Sequence, residues 1–138
     1  MRIGKWWIGR WSSQGGDEDT QVIFSLSVHC DFPIEALATL RNLTRTGGKP
    51  RADNDVMYSI GKTISFEDGN WETRADKLDA AVNAALDLLD STGVDPQEMR
   101  RPDVFLKAFF TFGSGAETIS AEIVERLARY HATIWIDA

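Results

Sequence analysis

Asp103–Phe112, DVFLKAFFTF, is the most apolar run in the chain, and Pro102 and Gly113 bound it. Its length, its aromatic content and its flanking breakers predict a strand near the middle of a sheet. Val104, Leu106, Ala108, Phe110 and Phe112 then point to one face. Phe105, Lys107, Phe109 and Thr111 point to the other, because successive strand residues alternate sides. Working outward, Gln21–Cys30 shows the same period of two. Val22, Phe24, Leu26, Val28 and Cys30 form its apolar side, and Ile23, Ser25, Ser27 and His29 its more polar side. Thr133–Asp137 reads as a closing strand with Ile134 and Ile136 on one side and Trp135 on the other.

Helical spacing fills the gaps between these strands. Asp31 offers a cap and Pro33 a first turn for a short helix running to about Leu43. Thr44–Asn54 reads as a basic loop, and Asp55–Ile60 and Thr63–Phe66 as two further strands ahead of a turn at Asp68-Gly69-Asn70. Arg74–Ser91 carries Leu78, Ala81, Val82, Ala85, Leu86 and Leu89 on one side, with Thr73 and Asp76 as a capping box and Gly93 as the stop. Glu117–Tyr130 is the last predicted helix, with Ser114 and Glu117 as its capping box. The order is β-α-β(β)-α-β-α-β. The economical layering is α+β: a ferredoxin-like variant with a mostly antiparallel sheet and helices on one face.

At 138 residues the chain has the size of a single domain. Residues 20–138 form the α+β core. Residues 1–19 read as an appended arm, with Trp6, Trp7 and Trp11 followed by the polar break SSQGGDED. No apolar run reaches membrane-spanning length, and the N-terminus lacks the uninterrupted apolar stretch of a signal peptide, so a cytoplasmic protein is expected. A net charge of −6 opposes binding to nucleic acid and suits a basic partner. Cys30 is the single cysteine, so no intramolecular disulfide can form, and no metal or cofactor site is expected.

Few constellations carry chemistry. Phe112-Gly113-Ser114-Gly115 leads into a helix, with Asp137 about twenty residues on, which resembles a dinucleotide fingerprint. Thr118 stands where the third glycine should be, so a glycine turn before a capped helix is the better reading. His29 and Cys30 project to opposite faces and cannot easily act together. No acid–base pair or nucleophile–base spacing is visible, so no catalytic residue is assigned.

Two surfaces remain as candidates. The first is the acidic side of Arg74–Ser91, where Asp76, Asp79, Asp87 and Asp90, with Trp6 and Trp7 of the arm, could dock a basic protein. The second is the sheet face away from the helices, presenting His29, Phe105, Phe109 and Trp135. That face is open to a ligand, to the arm, or to a second subunit, and a homodimer through the face or the arm is one expectation.

VIFSLSVHCDFPIEALATL, the loop around Thr46-Gly47-Gly48, GNWETRADKLDAAVNAALDLL and ISAEIVERLARYHATIWID together resemble the bacterial domain-of-unknown-function family numbered 4279, over residues 21–138. The resemblance implies a small accessory or immunity-type domain and carries over no catalytic residue. The expected function is therefore a non-catalytic bacterial binding protein. It would neutralise a basic partner such as a toxin, or alternatively bind a small molecule on the open face or at the Gly113–Gly115 turn.

Overall fold

The computed structural model describes residues 20–113 and 117–137. The arm with Trp6 and Trp7, together with Ser114 and Gly115, lies outside the described residues. The elements run β1 (Thr20–Cys30), β2 (Arg41–Asn42), β3 (Val56–Ser59), β4 (Ile64–Asp68), α1 (Trp71–Ser91), β5 (Val104–Phe112), α2 (Ala121–Arg129) and β6 (Thr133–Asp137). Two 3₁₀ turns, Glu35–Leu40 and Pro96–Arg100, complete them.

One sheet contains all six strands, in the order β2-β3-β1-β5-β6, with β4 continuing along β1 beyond β3. β5 lies inside the sheet as its composition predicts, antiparallel to β1 from Val22↔Phe112 to Cys30↔Val104. The sheet is mixed, because β6 runs parallel to β5. A parallel neighbour needs a crossover, and α2 supplies it.

The alternation read in β1 and β5 decides which face is covered. Val22, Phe24, Leu26 and Val28 of β1 and Leu106, Ala108 and Phe110 of β5 are buried in one cluster. Leu78, Val82, Leu86 and Leu89 of α1 and Ile123 and Leu127 of α2 belong to the same cluster. Both helices therefore pack on one side of the sheet. Phe24 and Phe110 meet across the ladder with ring centroids 5.1 Å apart, within the usual range for an aromatic pair.

Several boundaries differ from the sequence reading, each for a local reason. The first helix is a 3₁₀ turn, not an α-helix to Leu43. Its buried residues Ile34 and Leu37 are three apart, which suits the tighter turn, and Arg41–Asn42 leaves it to pair with β3. Asp31 is not its cap; the Ile34 N–H donates to the Tyr58 hydroxyl at 2.7 Å instead. α1 starts at Trp71, and Asn70 takes the capping role expected of Thr73, its side chain accepting from the Thr73 N–H at 3.0 Å. α2 starts at Ala121, capped by Ser120, so Glu117 precedes the helix. Gly93 does end α1, at φ 76°. α2 ends with His131 at φ 57°, a conformation that usually goes to glycine.

Candidate functional site

The sheet face turned away from the helices is built by register. Ser25 pairs with Phe109, Ser27 with Lys107 and His29 with Phe105, so these side chains share that face. Phe109 pairs with Trp135 in the next strand, and His29 with Met57 on the other side. Ile23, Ser25, Ser27, His29, Phe105, Lys107, Phe109, Thr111 and Trp135 thus stand together, as the alternation predicts.

Aromatic groups dominate the β5–β6 half of this face. The Lys107 ammonium lies 4.1 Å from the Trp135 ring centroid and 5.1 Å from that of Phe109. A cation held over ring faces in this way is partly compensated without a carboxylate. Phe109 and Trp135 lie 6.5 Å apart and His29 and Phe105 6.0 Å apart, centroid to centroid. Trp135 remains 50% exposed, and Phe105, four residues along β5 from Phe109 and next to His29, is exposed as well.

The β1–β3 half is polar. The Ser27 hydroxyl and His29 Nε2 are 2.8 Å apart, a contact on one strand that the sequence reading did not identify. Residues two apart on a strand share a face, so the spacing was the available signal. Burial lowers the His29 pKa below its ordinary value, and the positive charges of Lys107 and Arg51 lower it further. The imidazole is therefore neutral near pH 7. Among the described residues no carboxylate is hydrogen-bonded to the imidazole, so the pair lacks the group that orients a catalytic base. Beside it, where β3 ends and β4 begins, a cleft of about 340 Å³ is lined by Ser25, Ser27, Ser59, Lys62 and Thr63. Gly61, at φ 79°, makes the turn that opens the cleft.

Cys30 belongs to the covered side, paired with Val56 and Val104. Burial raises its pKa, which favours the protonated thiol, and the half-buried thiol donates to the Phe32 carbonyl oxygen at 3.1 Å.

The acidic side of α1 divides into two. Arg126 of α2 reaches across to Asp87 and Asp90, each at 3.0 Å, and to the Asn83 side chain at 2.6 Å. Tyr130 donates to Asp90 as well. Burial first, then that hydrogen bond to a carboxylate, push the Tyr130 pKa up to about 12. Asp87 and Asp90 thus fasten α2 to α1. Asp79, about two turns before Asp87, and Asp76, about three turns before it, form no ion pair among the described residues.

A second ion pair went unseen in the sequence. Arg74 meets Glu117 with its Nε 3.0 Å from both carboxylate oxygens and its Nη2 at 2.9 Å, and Nη1 donates to the Asp68 carbonyl at 2.7 Å. The Glu117 side chain is only 3% exposed. Arg74 lies one turn before Leu78 on the apolar stripe of α1, and that position was the clue to a buried partner. Glu117 cannot then help open α2. Glu117–Ser120 are not helical and α2 begins only at Ala121, so Gly113 does not lead straight into a helix as a dinucleotide fingerprint requires.

Among the described residues no group of three or more His, Cys, Asp or Glu could hold a metal ion, and no helix is long and apolar enough to cross a membrane. No family model, no curated protein and no solved structure matches the chain.

Proposed function

We propose that this is a non-catalytic binding domain whose working surface is the open face of the sheet. The observation that carries the reading is the Lys107 ammonium poised over Trp135 and Phe109, with both Trp135 and Phe105 exposed. Flat apolar rings beside one cation and a polar cleft suit a small organic anion with an apolar body. The rings would cover the body, and Lys107 would meet the charge. The fold that presents the face is a ferredoxin-like variant in this reading, and the protein a cytoplasmic member of the bacterial family 4279 type.

A thermal-shift screen of organic acids, nucleotides and amino acids tests it. The expected result is stabilisation by an anionic ligand that disappears in both Trp135→Ala and Lys107→Ala. Stabilisation that survives both substitutions, or none from any anion, overturns the reading.

Asp76 and Asp79 support a second one. They are acidic groups that form no ion pair among the described residues, on a chain of net charge −6. An immunity-type protein could use them to neutralise a basic toxin. Salt-sensitive capture of such a partner, lost in Asp76→Lys plus Asp79→Lys, would favour it over the first. Capture indifferent to both salt and the substitutions would remove it.

A further inference from the structure

β6 has a strand neighbour on one side only among the described residues, and all five of its residues are exposed. Ile134 is 37% exposed and Ile136 52%. It contains no proline, no lysine and no interruption in its pairing with β5. A regular, apolar, unguarded edge is a template for another strand.

We propose that β6 pairs antiparallel with β6 of a second copy, joining two sheets into one across a two-fold axis. Period two restricts the register, because residues directly opposite must share a face. The axis must therefore pass through a residue, and only Trp135 pairs the whole strand. Ile134 then faces Ile136 of the second copy, Trp135 faces its own counterpart, and Thr133 faces Asp137. Charge selects the same register. Lys107 pairs with Thr133 within the chain, and its ammonium leans toward the edge, over Trp135. Asp137 of the second copy arrives on the far side of Thr133, on the same face. Asp137 forms no ion pair among the described residues, so two symmetric Lys107–Asp137 contacts would satisfy it. The contact is isologous, so it closes at two copies and stops. It leaves the rings of the open faces uncovered and side by side, and because it engages Lys107 it competes for that ammonium with any anion bound there.

Sedimentation velocity on the full chain over a dilution series tests the pairing. A dimer is expected, and Ile136→Lys should convert it to monomer. Trp135→Cys should cross-link to its counterpart, since opposite residues of an antiparallel pair have Cα atoms about 4.5–5.5 Å apart, within disulfide reach. Asp137→Lys should weaken the dimer about tenfold, and adding Lys107→Asp should restore it. A monomer at every concentration overturns the proposal. So does a dimer that keeps its affinity in Ile136→Lys, which would place the contact elsewhere. Should Ile136→Lys unfold, the cross-link and the charge exchange decide alone. Ligand stabilisation of the Ile136→Lys monomer tests the open-face reading separately.

Discussion

The two edges of the sheet are built differently. On one side β2 contributes two residues, Arg41 and Asn42, and then the chain folds back on itself through the Thr44↔Pro50 bridge. Arg45 and Arg51 both reach Asp55 there, at 3.0 and 3.2 Å. Shortness, proline and charge are the usual means of keeping a sheet edge from recruiting strands. On the other side β6 has five residues in regular register, an exposed Ile-Trp-Ile and, among the described residues, no such guard. Among the described residues the β2 end carries these guards and the β6 edge does not. The contrast makes the β6 edge a surface with a use.

The largest expected effect concerns what holds the β6 side in place. α2 and β6 follow a crossover tethered by the Arg74–Glu117 pair. Glu117→Ala would leave Arg74 buried and unpaired, at a cost of about 3–5 kcal/mol. Urea denaturation should show the loss. The guarded side should be far less sensitive, because exposed pairs such as Arg45–Asp55 are worth about 1 kcal/mol or less. Similar losses from Glu117→Ala and Asp55→Ala would erase the contrast.

A smaller effect of opposite sign is expected at the joint between α2 and β6. His131 holds a left-handed conformation there, and its N–H donates to the Ala128 carbonyl at 2.9 Å. His131→Gly relieves that backbone and should raise stability by up to about 1 kcal/mol, read as a higher Tm. No gain would mean that the side chain, which meets Arg100, compensates the strain.

The smallest effect lies between the edges. His29 feels Arg51 from the guarded side and Lys107 from the β6 side. Its folded pKa is depressed, so the unfolded chain binds the extra proton first as pH falls through 6.5. Stability from this group is therefore complete above pH 6.5 and declines toward the lower folded value. Thermal melts between pH 8 and 5 should fall more steeply for the native protein than for His29→Gln. Equal slopes would show that His29 titrates in the fold as it does in the unfolded chain.

Much of this was legible in the residues. The alternation in β1 and β5 located the covered face, the open face and the side chains on each, because burial on one side of a sheet imposes period two. Both α-helices were visible from their apolar stripes. Their starts were not, because Asn70 and Ser120 cap from positions that do not begin a hydrophobic repeat. β2 escaped notice because two residues carry no period. The parallel placement of β6 is a long-range choice that Thr133–Asp137 does not encode by itself. Asp87 and Asp90 read as part of a docking surface, and only the approach of α2 gave them Arg126. Arg74 and Glu117 are 43 residues apart, and nothing local joins them.

The break between β3 and β4 has a consequence for how the chain tolerates change in length. β1 is flanked there by two separate ladders, Ser27–Cys30 with β3 and Thr20–Phe24 with β4. A residue inserted at Gly61 or Lys62 would lengthen the turn without sliding either ladder, so neither would turn its buried side chains outward. The same insertion within β5 would disturb partners on both sides at once. A tag, a probe or a grafted peptide at the Gly61–Lys62 junction would therefore leave both ladders in register while blocking the cleft that Lys62 lines.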